Sequence, residues 1–322
     1  MSANELLSPI RELGYYPFSA YLRARYGCKV HKVSIHAGFT CPNRDGRVGV
    51  GGCTYCINES FSPQAGKPPR SVREQMADGI DYMRRRYHAR KFFAYFQAFS
   101  NTYADVKTLR ALYDEALEFP DVVGISIGTR PDCVPDEVLD LVQEYTARAE
   151  VWLEYGIQSA HDKTLRLINR GHDFATFKDA VARTLPRGIR VCAHVILGLP
   201  GESHADIMAT AEAIQPLGIH GIKLHHLYIA RNTAMEKDYL AGQIKLFTAE
   251  EYVPVACDFL ERIPADVAVQ RLVGDTTSAG VLLAPSWPQT KTEVFRMISE
   301  EFRRRGASQG SRVGAQVRQQ GQ

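Results

Sequence analysis

The feature that most restricts the fold of this chain is an alternation between short apolar runs and amphipathic segments, which begins near residue 30. Six runs are rich in Val, Ile, Phe and Tyr and are almost continuously apolar, which is typical of strands covered on both faces. These runs are KVSIHAG, KFFAYFQ, VVGISIGT, VWLEYGIQ, VCAHVILGL and GIKLHHLYI. The segments between them repeat apolar residues every three or four positions, as amphipathic helices do. The alternation therefore predicts parallel βαβ units joined by short loops.

The number and extent of these units predict the architecture. Six units are too few to close a (β/α)8 barrel. The sequence therefore predicts an α/β fold with a partial (β/α)6 TIM-like barrel at residues 30–230, preceded by an N-terminal segment at residues 1–29. The pattern then changes to helix, strand and helix, which predicts a small C-terminal α/β extension at residues 231–305. Residues 306–322 have almost no apolar side chains and are predicted to be disordered.

Charge and apolar content restrict the cellular setting. The 322-residue chain has a net charge of +3, which is too small to indicate a polyanionic partner by itself. No run approaches the roughly 18 consecutive apolar residues of a membrane span. The N-terminal stretch lacks the apolar centre of a signal peptide. The sequence therefore predicts a cytoplasmic protein with no membrane partner, whose thiols stay reduced and serve metal or redox chemistry before disulfides.

Three of the seven cysteines lie in one glycine-rich loop, GFTCPNRDGRVGVGGCTYC, which follows the first predicted strand. Eleven residues separate Cys41 from Cys53, and two separate Cys53 from Cys56. The loop would lie at the carboxyl ends of the strands, where barrels of this kind carry their active sites. A zinc site that also uses Cys28 or a nearby histidine would account for the short Cys-x2-Cys pair. An iron–sulfur cluster held by three thiolates would leave one iron open to bind a small molecule.

The chain resembles the radical S-adenosylmethionine (radical SAM) enzymes, whose partial (β/α)6 barrel carries a three-cysteine [4Fe-4S] cluster in the loop after the first strand. The wide gap between AGFTCPNRDG and GGCTYC resembles the YhcC-like branch, which is related to the radical SAM part of the elongator catalytic subunit. Other similar strings are YFQAFSNTYA, GISIGTRPDC, EYGIQSAHDKTLRLINRGHD, HVILGLPGE and VQRLVGD. The resemblance begins at YYPFSAYLRARYG and extends to about residue 305.

The resemblance implies a cofactor set and a partner. Cys41, Cys53 and Cys56 would bind the [4Fe-4S] cluster, and an electron donor such as flavodoxin or ferredoxin would reduce it. Reduction would cleave S-adenosylmethionine to methionine and a 5′-deoxyadenosyl radical that abstracts hydrogen from the substrate. The residues that the resemblance assigns to S-adenosylmethionine are Gln97, Ser100, Glu154, Gln158, Arg170 and Gly198.

Several of these residues have structural alternatives. Glu154 and Gln158 would share one face of a regular strand, and Glu154 would bind the ribose hydroxyls or form a structural salt bridge. Arg170 would meet the methionine carboxylate or cap a helix. Gly198 would let the backbone approach adenine. Tyr228, in the sixth predicted strand, would donate hydrogen, contact the substrate or pack in the core.

The resemblance to the elongator subunit also implies a substrate, namely a modified wobble-uridine side chain in tRNA. That subunit carries an acetyltransferase domain after its barrel, for which this sequence has no counterpart. The expected reaction is therefore hydrogen abstraction on an existing carboxymethylaminomethyl-type group rather than its synthesis. Two alternatives stay open, a radical SAM enzyme for a small metabolite or a protein, and a zinc-stabilised module without enzymatic activity.

Overall fold

The computed structural model describes residues 3–58, 70–274 and 280–314. Its strands are β1 (Val30–Ile35), β2 (Lys91–Phe96), β3 (Val122–Thr129), β4 (Glu150–Gln158), β5 (Arg190–Leu197), β6 (Gly221–His226), β7 (Ile229–Ala230), β8 (Ala268–Arg271) and β9 (Leu282–Ala284). Its helices are α1 (Ala3–Leu13), α2 (Phe18–Tyr26), α3 (Val72–Tyr87), α4 (Val106–Leu117), α5 (Asp136–Glu144), α6 (Asp162–Leu167), α7 (Phe174–Thr184), α8 (His204–Ile214), α9 (Ala234–Leu240), α10 (Ala249–Glu261) and α11 (Lys291–Arg305).

Seven strands form one parallel sheet in the order β1-β2-β3-β4-β5-β6-β8, and the sheet curls into a partial barrel. The predicted α/β fold with a partial TIM-like barrel is confirmed. Strand β4 lies in the middle of the sheet and is buried at all nine positions, as its apolar run predicts. The number of barrel strands predicted from the sequence is short by one. Strand β8, which the sequence assigned to the C-terminal extension, pairs in parallel with β6 and lengthens the barrel.

Several helices begin with a capping box, in which the first and fourth residues hydrogen-bond to each other's backbone amides. The hydroxyl of Ser71 accepts the amide of Glu74 at the start of α3, and the Glu74 carboxylate accepts the Ser71 amide in return. The same arrangement begins α8, α10 and α11. None of the helices within residues 3–58, 70–274 and 280–314 has the length and apolar content needed to cross a membrane.

The N-terminal helices close the amino end of the barrel. Phe18, the first residue of α2, packs edge-to-face on Trp152 near the start of β4, with 5.3 Å between ring centroids. The amide of Val269 in β8 donates to the carbonyl of Tyr16 at 2.8 Å. The segment before α2 therefore continues the hydrogen bonding of the sheet beyond β8, on the side where a closed barrel would have another strand.

The chain after α11 differs from the predicted disorder. Residues 306–314 form turns, and Gln309 is only 2% exposed. Its amide oxygen accepts the Tyr16 amide at 2.9 Å, and its nitrogen donates to the carbonyls of Pro264 and Val267 at 2.7 and 2.8 Å. These bonds replace the apolar burial that this stretch lacks. The remainder of the predicted disordered tail, residues 315–322, lies outside the described residues.

Candidate active site

A cavity of about 210 Å³ lies at the carboxyl ends of the barrel strands, where the cysteine loop was expected. It is bordered by the loop after β1 and by the carboxyl ends of several of the parallel strands. The residues predicted from the sequence that line it are Cys41, Cys53, Cys56, Gln97, Ser100, Glu154, Gln158, Arg170 and Tyr228. The fold thus brings together nine side chains that are spread over nearly two hundred residues of sequence.

Side-chain to backbone hydrogen bonds hold the cysteine loop in place. Asn43 donates to the carbonyl of Asn169 at 2.6 Å, and Asn169 donates to the carbonyl of Gly52 at 2.8 Å. Arg44 donates to the carbonyl of Cys56 at 2.6 Å. The two bonds of Asn169 tie the loop to the segment that follows α6, and the Arg44 bond joins two parts of the loop. Polar contacts therefore order a loop that has few apolar residues.

The sulfur of Cys53 has a polar environment. Cys53 is 8% exposed, and its Sγ lies 3.5 Å from Nη1 of Arg170 and 3.6 Å from Nδ2 of Asn43. Burial is the largest influence and opposes ionisation, but Arg170, Arg130 and Tyr55 together lower the pKa of the Cys53 thiol. Burial and the neighbouring Cys53 charge raise the pKa of Cys56 to about 11. A donor pair at a thiolate sulfur is the kind of environment that supports an iron–sulfur cluster.

The zinc alternative that uses Cys28 finds no support in this geometry. Cys28 precedes β1, whereas Cys41 follows it, and a six-residue strand spans about 20 Å. Within the described part of the chain, no three or more His, Cys, Asp or Glu side chains converge to hold one metal ion. In a [4Fe-4S] cluster each thiolate binds a different iron. Cys41, Cys53 and Cys56 line one cavity, and Cys28 does not border it.

Glu154 is fully buried in the barrel and is engaged by cations from two distant strands. Its carboxylate accepts hydrogen bonds from Lys32 of β1 and Lys223 of β6, and its Oε2 lies 3.1 Å from Nε2 of His194. The two lysines, acting against burial, hold the pKa of Glu154 well below its usual range. The salt-bridge alternative describes these contacts, and the ribose role of Glu154 stays a prediction.

Arg170 and Gln158 meet at an irregularity in β4. The pairing with β5 shifts register between Gly156 and Gln158, and Gln158 has a φ of 71°. The two side chains Glu154 and Gln158 still line one cavity, but the regular alternation expected from the sequence is interrupted. Arg170 donates from Nε to the carbonyl of Gly156 at 3.1 Å. A Cβ at Gly156 would lie 2.6 Å from the Gln158 amide and 2.8 Å from the Arg170 guanidinium, so a larger residue there would displace one or both of these side-chain ends.

The end of β2 supplies two polar groups to the cavity. Gln97 donates to the hydroxyl of Ser34 at 2.9 Å and lies partly exposed. Ser100 is almost completely buried, and within the described ranges its hydroxyl lacks an oxygen or nitrogen partner. A buried hydroxyl without such a partner is costly. The position is therefore suited to a polar ligand group, and the cofactor roles of both residues stay predictions.

Of the two remaining predicted residues, Tyr228 lines the cavity and Gly198 does not. Tyr228 is half-buried and lines the cavity beside His226, with 6.1 Å between ring centroids. Gly198 has a φ of 88° but does not border the cavity. A Cβ at Gly198 would lie 2.8 Å from the ring of Phe247, so the close approach predicted there is made by a side chain of this protein. The adenine contact of Gly198 stays a prediction that this geometry does not support.

Sequence reasoning missed several ionisable groups that face or underlie the cavity. Lys32 and His194 both contact Glu154, and Arg271 at the end of β8 lines the cavity. His194 lies within an apolar run, which is the same signal that singled out Glu154, whereas Lys32 begins the first run. Arg271 lies outside the six runs and reaches the cavity because β8 joins the sheet.

Two family matches cover most of the chain. Residues 41–214, from the first loop cysteine to the end of α8, match the Radical SAM superfamily. Residues 219–304, which include β6, β8 and most of α11, match the Radical_SAM C-terminal domain.

Proteins with similar sequences include YhcC, YtqA and elongator proteins. YhcC of Escherichia coli K12 is 42% identical over 302 residues, which cover 92% of this chain and 94% of YhcC. YtqA of Bacillus subtilis 168 is 41% identical over 299 residues, which cover 93% of this chain and 92% of YtqA. Elongator complex protein 3 of Schizosaccharomyces pombe is 28% identical over 170 residues, half of this chain and 31% of that protein.

Among solved structures, the archaeal Methanocaldococcus infernus Elp3 with an N-terminal deletion superposes with a TM-score of 0.66 at 16% identity. The superposition covers 87% of this chain and 64% of that chain, and it shows a shared fold. The matched residues, the relatives and the fold agree with the cysteine loop at the mouth of the barrel. This chain therefore belongs to the radical SAM superfamily of enzymes, in the YhcC-like branch.

Proposed function

We propose that this chain binds a [4Fe-4S] cluster through Cys41, Cys53 and Cys56, binds S-adenosylmethionine beside it, and removes hydrogen from a modified wobble-uridine side chain in tRNA. A bound cluster of this kind supplies the electron that makes S-adenosylmethionine a source of a hydrogen-abstracting radical. The observation that carries the proposal is the position of three thiols around one cavity at the carboxyl ends of parallel strands.

The chain's own residues would prepare this site in two ways. Arg170 and Asn43 direct N–H groups at the Cys53 sulfur, which favours a thiolate and the negative charge of a thiolate-bound cluster. Ser100 and Gln158 present polar groups to the cavity, and Tyr228 stands at its β6 side as a candidate hydrogen donor or substrate contact. The cavity thus has thiols, polar groups and a phenol within one enclosure.

The tRNA substrate is supported by the similarity to elongator proteins, and the carboxymethylaminomethyl group is the side chain that this similarity suggests. A small metabolite or a protein is the alternative substrate. We place the enzyme in the cytoplasm with an electron donor such as flavodoxin or ferredoxin.

The first experiment tests the cluster. The full chain is purified without oxygen, supplied with iron and sulfide, and assayed for iron content, visible absorption and 5′-deoxyadenosine formation after reduction with S-adenosylmethionine present. We expect about four irons per chain, and loss of both cluster and product in Cys53→Ser. The matched control is Cys28→Ser, which removes a thiol on the far side of β1 and should retain both. Equal loss in the two variants, or a colourless zinc protein, would overturn the proposal.

The second experiment tests the substrate class. Affinity for tRNA is measured over a range of salt concentrations with the reconstituted enzyme. Contacts to phosphates release counterions, so a tRNA enzyme should lose affinity steeply and linearly on a logarithmic scale. Absence of tRNA binding in an enzyme that still forms 5′-deoxyadenosine would favour the small-molecule or protein alternative.

A further inference from the structure

Arg271 differs from the other arginines that line the cavity in its hydrogen bonding. The cavity is bordered by four arginines, and among the residues that the structure describes only Arg271 has its guanidinium in no hydrogen bond or ion pair. The others are held by the protein itself: Arg44 by the carbonyl of Cys56, Arg130 by the carboxylate of Asp132, and Arg170 by the carbonyl of Gly156. Arg271 therefore has its planar fork of donors available to a ligand.

The surroundings of Arg271 carry more positive than negative charge. Glu154 is the one acidic residue among the described residues that line the cavity, and its carboxylate already serves Lys32 and Lys223. Arg271 is the register partner of Lys223 across the β6–β8 pair. With both lysines protonated, three cations face one carboxylate. Lys223 is buried, and Lys32 and Arg271 are partly buried, so an anion that enters here would offset a charge excess that water screens only in part.

The histidines of the neighbouring strands add donors without adding charge. Burial, Lys223 and Arg271 lower the pKa of His194 to about 4, and burial and Arg271 hold the pKa of His225 well below its usual range. Both rings border the cavity and are neutral at physiological pH. A neutral imidazole can still donate one N–H to an oxygen.

We infer that Arg271, with His225 of the adjacent strand β6, binds a carboxylate group of the substrate on the β6–β8 side of the cavity. This rests on the proposed function for the existence of a substrate in this cavity. One guanidinium fork matches the two oxygens of a carboxylate. A phosphate has further charged oxygens, and Lys32 and Lys223 are already engaged by Glu154. The carboxylate of S-adenosylmethionine is the competing source, for which Arg170 lies nearer to the cysteine loop.

The first test needs neither cluster nor substrate. The melting temperature of the full chain is measured with sodium acetate against sodium chloride at equal ionic strength, and with inorganic phosphate in parallel. We expect acetate to raise the melting temperature of the wild type and of Arg271→Lys, and not of Arg271→Gln. The control Arg231→Gln removes an exposed arginine outside the cavity and should keep the acetate response. An equal acetate response in Arg271→Gln, or a response to phosphate alone, would overturn the inference.

The same variants separate a ligand site from a structural role. Because Arg271→Gln removes excess positive charge, its melting temperature without acetate should equal or exceed that of the wild type. A fall would assign Arg271 to the fold and overturn the inference. After reconstitution, affinity for S-adenosylmethionine should be equal in wild type and Arg271→Gln, and about tenfold weaker binding would assign the carboxylate to the cofactor instead. Failure of the proposed function is distinct, because it would appear as a wild type without iron.

Discussion

Replacing Glu154 by Gln tests whether the buried charge cluster stabilises the barrel. The change keeps the size of the side chain and removes the one carboxylate that Lys32 and Lys223 share. The buried ammonium of Lys223 and the partly buried ammonium of Lys32 then lack a counter-charge. The substitution therefore separates charge from packing more cleanly than a truncation would.

The expected loss of unfolding free energy can be estimated from the remaining contacts of the two lysines. Removing one partner from a buried ion pair costs about 3–5 kcal/mol of unfolding free energy. Each lysine keeps some support, because Lys32 also donates to Gln270 at 2.7 Å and Lys223 to the Tyr95 hydroxyl at 2.9 Å. We therefore expect a loss near the lower end, about 3 kcal/mol. For a chain of this size that corresponds to a fall in melting temperature of roughly 4–5 °C.

The stability of Glu154→Gln should change with pH in a direction that follows from the lysine pKa values. Burial is the largest cause that lowers the pKa of Lys32 and of Lys223, while Glu154 opposes it. Without Glu154 both values fall further below the unfolded value of about 10.4. Between the folded and unfolded values the unfolded chain binds more protons, so the stability of Glu154→Gln should rise with pH in that window. The deficit relative to wild type should shrink correspondingly.

The assay is urea denaturation followed by circular dichroism at neutral and at alkaline pH. Glu144→Gln is the control, since it removes an exposed carboxylate that is also paired with an arginine and should leave the midpoint nearly unchanged. A Glu154→Gln loss below about 1 kcal/mol, or a deficit that does not shrink with rising pH, would refute the view that uncompensated lysine charge is the cause.

Two further predictions concern packing and the C-terminal turn. Gly79→Ala places a Cβ 2.2 Å from Cγ1 of Val33 where α3 packs on β1, so we expect a loss of about 1–3 kcal/mol by urea denaturation. Adding Val33→Ala should recover part of that loss, and no recovery would contradict the steric cause. Gln309→Ala removes three buried hydrogen bonds to Tyr16 and two carbonyls, and should lower the unfolding free energy by about 2–4 kcal/mol. An unchanged urea midpoint would indicate that the turn at residues 306–314 contributes nothing to the fold.

The positions of the strands could be read from the sequence because burial on both faces leaves an unbroken apolar run. The predicted run VWLEYGIQ and the observed β4, Glu150–Gln158, agree within one residue. The location of the cysteine loop followed from the same pattern, since parallel strands present their carboxyl ends at one edge. The turn around Gln309 could not be read, because it is held by hydrogen bonds to the backbone of residues far away in sequence.

The sequence by itself determined the alternation of strands and helices, and with it the barrel and the end of the barrel at which three cysteines meet. Only the tertiary structure decided which charged side chains lie next to one another inside the barrel. Glu154 meets Lys32 from 122 residues earlier and Lys223 from 69 residues later, and Arg271 reaches the cavity because β8 joins the sheet. The physical reason is that side chains pointing into a barrel come from every strand at once, and their distances are set by closure of the sheet rather than by separation along the chain.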